Sequence, residues 1–171
     1  MDKSRGVRVM QAQFAKAIKE RNEYMKFMID ETSPFTWYVL LHGITGKNNE
    51  FLGGEYLVRV VAPNDFPASP PSFYFMTENG LYKPEEKVCI SIGEYHKDQY
   101  RAVLGMSGFC QNLVSGLIGW EDMGTGINIL NTTAEKKAEL ARKSKTYNAL
   151  HNREIVQLIG DNYNKYSLLW K

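Results

Sequence analysis

Cysteine is scarce: Cys89 and Cys110 are the only two in 171 residues, and neither lies in a Cys-x-x-Cys or Cys/His spacing. A disulfide framework and a structural zinc site are thereby excluded, and no metal or cofactor is expected. Proline, at six residues, is too sparse for a collagen-like or disordered chain. A surplus of one charge is also missing, since 21 Lys and Arg stand against 19 Asp and Glu for a net +2. Proteins that grip a phosphate backbone normally show such a surplus, so no nucleic-acid partner is expected. Long apolar runs are absent too. The opening MDKSRGVRVM has no signal-peptide core, and no run approaches the roughly 18 residues of a membrane span. As written, the chain reads as cytoplasmic or nuclear, with reduced thiols.

What is present is an ordinary globular mixture, 43% hydrophobic and 23% charged. The length favours one domain over 1–171, enough to bury roughly two-thirds of its unfolded surface. Over 5–21, Val7, Met10, Phe14, Ala17 and Ile18 recur at three-to-four spacing among Arg5, Arg8, Lys16, Lys19 and Arg21, which predicts an amphipathic helix with a basic side. YMKFMID (24–30) fits either more helix or a short strand. Residues 35–44 (FTWYVLLHGI) and 54–63 (GEYLVRVVAP) are rich in β-branched and aromatic side chains and flank a polar Gly/Asn loop, and SFYFMT supplies another strand after FPASPP. Sequential strands with short turns indicate an antiparallel meander and hence an α+β fold. A long polar loop follows, interrupted only by VCISI. Met106, Phe109, Cys110, Leu113, Val114 and Leu117 predict a buried helix, closed by Gly119, Gly124 and Gly126. A capping box from Thr132 to Glu135 opens a helix to about Leu150, and a last helix runs from Arg153 towards Tyr166. From Thr133 onward there are eight basic and four acidic residues, against a net −2 before it, which reads as a solvated helix face.

The two cysteines differ in setting. Cys110 lies in the apolar stripe of its helix and reads as a small buried hydrophobe. Cys89 lies in a polar loop with Lys87, Ser91, Glu94, His96 and Asp98 nearby, where a thiolate can be exposed and stabilised.

FPASPPSFYFMTENG, followed ten residues after Asn79 by the cysteine of VCISI, resembles the core of a ubiquitin-conjugating enzyme. That family carries a Tyr/Phe-Pro-x-x-Pro-Pro loop, a His-Pro-Asn motif and then the cysteine that bears ubiquitin as a thioester. The longer gap from Asn to Cys, with Thr77 at the first motif position, resembles its branch tail-anchored in the endoplasmic reticulum; Glu78 stands where the motif has Pro. GGEYLVRVVAPNDFP, CISIGEYHKD and KKAELARKSKTYN extend the likeness to about 5–160. The resemblance implies the ubiquitin-conjugating fold: an N-terminal helix, a four-stranded antiparallel meander, a central helix and two C-terminal helices.

It also implies an activity. Cys89 would accept ubiquitin from an activating enzyme and pass it to a Lys, or a Ser or Thr, of a protein substrate, alone or with a ligase. Asn79 would hold the active-site loop or hydrogen-bond the oxyanion, and it also reads as a turn residue before Gly80. Arg5 and Arg8 match residues that meet the activating enzyme; simple solvation is the other reading. Pro67, Pro70 and the stretch from Tyr100 to Val103 fall where ligases bind, with Tyr100 in place of the family's Trp. The acceptor's proton needs a base near the thioester. His96 is the first candidate because a neutral imidazole can take a proton, and Glu94, Asp98, Glu121 and Asp122 are the others. A catalytically weak variant that only binds ubiquitin or a partner is the alternative, and a cysteine hydrolase a third. After the last helix only NYNKYSLLWK remains, so membrane association is expected only where an anchor has been truncated.

Overall fold

The computed structural model describes residues 3–88, 104–122 and 129–167. Helix α1 (Lys3–Lys19) is followed by four strands, β1 (Met25–Ile29), β2 (Thr36–Leu41), β3 (Tyr56–Val61) and β4 (Ser72–Phe75). Among the described residues, helices α2 (Gly105–Ile118), α3 (Ala134–His151) and α4 (Arg153–Ser167) follow, and a 3-10 turn, Trp120–Asp122, lies after α2. The strands lie in chain order β1-β2-β3-β4 and every pair is antiparallel. The expected α+β meander is thus observed, and YMKFMID resolves as a strand.

One face of the sheet carries Phe27, Val39, Val58 and Phe75, aligned by the pairings Phe27↔Val39, Val39↔Val58 and Val58↔Phe75. All four are fully buried in one cluster with Met106, Phe109, Cys110, Leu113, Val114 and Leu117 of α2, so the apolar stripe read from sequence is the stripe that packs on the sheet. Helix α1 adds Met10, Ala17 and Ile18 to this cluster, and Phe14 meets Trp37 edge to face with ring centroids 5.3 Å apart. Gln13 on α1 also accepts the Met106 N–H at 3.1 Å, which supplies the cap that α2 lacks from its own side chains.

The opposite face is covered as well. Met28, Leu40 and Leu57 point outward and are buried by Ile159, with Ile155 and Val156 packed alongside, so α4 lies across β1 and β2. Burial on both faces removes the two-residue alternation that would have marked β1, and this is why its segment is ambiguous in sequence.

Helix α3 begins differently from expectation. Its cap is Thr133, whose hydroxyl accepts the Lys136 N–H at 3.1 Å. Thr132 is instead drawn away towards Gly80 and Lys137. The basic C-terminal region is a solvated face at Lys136, Lys143 and Lys145, but Lys137 is 0% exposed.

Candidate active site

The loop that leaves β4 is built around Asn79. This residue is fully buried, and its side-chain oxygen accepts the N–H groups of Leu81 (2.9 Å) and Tyr82 (2.7 Å). Its amide nitrogen donates to the carbonyls of Thr77 (3.0 Å) and Tyr82 (3.1 Å). An amide has two N–H groups, and both are engaged with backbone. The geometry is that of a side chain wrapped by its own turn. Gly80, next in the chain, has φ +85°, and a Cβ there would meet the Thr132 hydroxyl at 2.9 Å and Lys137 at 3.0 Å, so conformation and space both demand glycine.

Past the turn, the Glu85 N–H donates to Phe75 O at 2.7 Å and the Val88 N–H to Phe73 O at 2.8 Å. The run that leads up to position 89 is therefore laced to β4, and Val88 is buried. Tyr82, also fully buried, stacks on Phe75 with ring centroids 4.7 Å apart.

Helix α3 holds this loop through polar side chains. Ser144, Asn148 and Asn152 recur every four residues, and all three are buried. Ser144 accepts the Glu55 N–H at 2.9 Å, and Asn148 donates to Glu55 O at 2.9 Å. The Thr77 hydroxyl accepts the Leu57 N–H at 2.9 Å and donates to Asn148 Oδ1 at 2.6 Å. Asn152 donates to Met76 O at 2.9 Å and to Asn148 Oδ1 at 3.0 Å. A helix face that in sequence shows no apolar stripe is thus a row of donors and acceptors facing the open ends of β3 and β4.

A second polar group adjoins the same turn through Thr132. Glu50, 2% exposed, accepts the Trp120 indole N–H at 2.8 Å and the Asn48 N–H at 2.8 Å. Burial alone would raise its carboxyl pKa; the hydrogen bonds and the charge of Lys137 outweigh burial and hold it below the usual carboxylate range. The Lys137 ammonium lies 3.8 Å from the Trp120 ring centroid and donates to Thr132 O and Oγ1, both at 2.8 Å. Burial pushes its pKa down, and the charge of Glu50 opposes that shift.

Of the residues expected at the site, Asn79 lies in this loop, whereas Cys89, His96 and Tyr100, with Glu94 and Asp98, fall outside the described residues. Arg5 and Arg8 are exposed, one helical turn apart on α1. Pro67 is exposed and Pro70 half-buried in the loop before β4. Glu121 and Asp122 are exposed on the 3-10 turn. Cys110 is fully buried, and burial pushes its thiol pKa far up, so it has no thiolate to offer at neutral pH. Among the described residues no group of His, Cys, Asp or Glu is arranged to hold a metal, and no helix is long and apolar enough to cross a membrane. Glu50, Lys137, Asn148 and Asn152 were not singled out from sequence. The available signals were the KKAELARKSKTYN run, which contains Lys137, Ser144 and Asn148, and the four-residue spacing of Ser144, Asn148 and Asn152.

No protein-family model matches the chain. Among curated proteins it is similar to "Ubiquitin-conjugating enzyme E2 6" of Candida glabrata, 26% identical over 147 residues, covering 80% of this chain and 58% of that protein. It is also similar to human "Ubiquitin-conjugating enzyme E2 J1", 28% identical over 140 residues, covering 78% of this chain and 41% of that protein. The chain therefore spans between about two-fifths and three-fifths of the length of these relatives. Among solved structures, human ubiquitin-conjugating enzyme E2 G1 superposes with a TM-score of 0.58 at 24% identity, covering 67% of this chain and 96% of that one. The helix, the four-stranded meander and the three following helices are accordingly the ubiquitin-conjugating fold, and the sequence relatives carry that family's name.

Proposed function

We propose that the protein is a ubiquitin-conjugating transferase, with residues 1–171 as a single catalytic domain and Cys89 as its nucleophile. The Cys89 thiolate attacks the thioester carbonyl by which an activating enzyme holds ubiquitin, and the activating enzyme's thiol leaves. An acceptor amine then attacks the new thioester, forming an amide and releasing the Cys89 thiolate. The observation that carries the reading is the similarity over about four-fifths of the chain to proteins named as ubiquitin-conjugating enzymes. The buried, unreactive setting of Cys110 supports it by leaving Cys89 as the other thiol.

Asn79 in this reading keeps the loop shaped for transfer. His96 is the base for the acceptor's proton, with greatest effect on a Ser or Thr hydroxyl, and Asp122 is a further candidate there. Arg5 and Arg8 meet the activating enzyme, and Pro67, Pro70 and Tyr100 meet a ligase where one takes part. The Thr77-x-Asn79 motif and its gap to Cys89 favour the branch that is tail-anchored in the endoplasmic reticulum. The test is a charging assay with activating enzyme, ATP and ubiquitin, resolved with and without reductant. A reductant-sensitive adduct that survives Cys110→Ala and vanishes in Cys89→Ala is expected; an adduct lost in Cys110→Ala alone, or none at all, overturns the assignment.

A further inference from the structure

We infer that Lys137 is a positioning residue for the transfer step, acting through the Thr132 hydroxyl to lock the peptide between Gly80 and Leu81 and so the Asn79 side chain. The inference rests on the conjugating-enzyme reading for its functional half and on geometry alone for its structural half.

The direction of every hydrogen bond in the chain is forced. An ammonium only donates, so at 2.8 Å Thr132 Oγ1 must accept from Lys137 Nζ. The hydroxyl's single proton is then left for the contact that Thr132 makes with Gly80 O. Charge on the donor side strengthens the next link, because a hydroxyl that accepts from a cation is a better donor. The other end of the same peptide is also held, since Leu81 N–H donates to Asn79 Oδ1 at 2.9 Å. Oxygen and N–H of one peptide are thus tied to two different segments, the stretch just before α3 and the turn itself.

The ammonium is kept in place without a direct ion pair. Among the described residues it has no carboxylate within salt-bridge distance; the Trp120 indole lies between the charges, its face 3.8 Å from Lys137 and its N–H on Glu50. This arrangement fixes the ring by its N–H and the ammonium by the ring. Four separate segments, carrying Glu50, Trp120, Thr132 with Lys137, and Gly80, converge here. Trp120 also packs against the apolar core, and the polar contacts of Lys137 and Thr132 lead from it to the turn that holds Asn79.

The test compares Thr132→Val, Thr132→Ser, Lys137→Met and the double variant Thr132→Val with Lys137→Met. Two quantities are read: amide hydrogen exchange at Leu81 and Tyr82, and single-turnover discharge of the charged protein to free lysine across a range of lysine concentrations. Discharge rates are normalised to the charged fraction. Faster exchange at both amides is expected in Thr132→Val, Lys137→Met and the double variant, with kcat for discharge about 10- to 100-fold lower and KM for lysine unchanged. The double variant should be no worse than the poorer single, because both act on one link. Thr132→Ser, which restores the hydroxyl, should return both readouts towards the parent. Independent, multiplicative losses, or unchanged exchange in Thr132→Val, overturn the inference. If Lys137→Met does not fold, the Thr132 pair decides alone. A parent that fails to charge overturns the proposed function and leaves hydrogen exchange to judge the lock.

Discussion

Asn79 illustrates how much one side chain can determine when all its valences are used. Its four hydrogen bonds go to three backbone residues within three positions, and none goes to solvent. Asn79→Ala would strand two N–H groups and two carbonyls in a buried loop, and each unsatisfied buried group costs about 1 to 3 kcal/mol. A loss of about 3 kcal/mol or more in urea-monitored unfolding is therefore expected, along with slower discharge. Unchanged stability with slowed discharge would instead mark a residue that acts only on a substrate oxygen. Glu50 gives a second test. Its carboxyl pKa is lower folded than in the unfolded chain, so it contributes stability at pH values above about 4.5, and that contribution fades as pH falls through the folded pKa. Glu50→Gln keeps an acceptor for Trp120 and should flatten this part of the acid dependence measured by thermal unfolding. Neither Glu50 nor Lys137 was legible in the sequence, because a charged residue in a polar stretch reads as solvated unless its partners are known, and the Trp120 indole that joins the two lies 70 positions from Glu50 and outside the helix of Lys137.

At the scale of elements, legibility follows periodicity. Helix α2 shows its buried side as an apolar stripe, and β2 to β4 show β-branched and aromatic runs, so each is readable within a few residues of its observed ends. Strand β1 is not: like β2 and β3 it is covered on both faces, but it carries Met and Lys where they carry β-branched and aromatic residues. Helix α3 is readable as a helix but not as to what it buries, because its inward face is Ser144, Asn148 and Asn152. Its start is ambiguous for a local reason: Thr132 and Thr133 both qualify as caps, and only the pull of Gly80 on the first decides. Asn148 is the hub of the inward face, with bonds to Thr77, Glu55 and Asn152. Asn148→Leu keeps the volume but leaves those partners unsatisfied, and is expected to cost about 2 to 4 kcal/mol by chemical denaturation. Asn152→Leu, which loses fewer bonds, should cost less. Equal and negligible costs would mean that water takes over these bonds in solution.

The whole molecule has the sheet as its middle layer, with α2 and α1 on one side and α4 on the other. Ile159 is the fully buried residue by which α4 covers Met28, Leu40 and Leu57. Ile159→Ala should cost about 2 to 4 kcal/mol, near the usual range for a large-to-small change in a core, and calorimetry should show the loss. If α4 only rested on the surface, the cost would stay below about 0.5 kcal/mol.

The position of α4 bears on the order in which the chain can assemble. The meander is made of neighbours in sequence and can pair as soon as it emerges during synthesis, yet Tyr163 reaches back 138 positions to donate to Met25 O. Before α4 has emerged, Met28, Leu40 and Leu57 lack the helix that buries them. A nascent chain stalled before Arg153 should therefore be a client for chaperones that recognise exposed hydrophobic surface, and one stalled well beyond Ser167 should not.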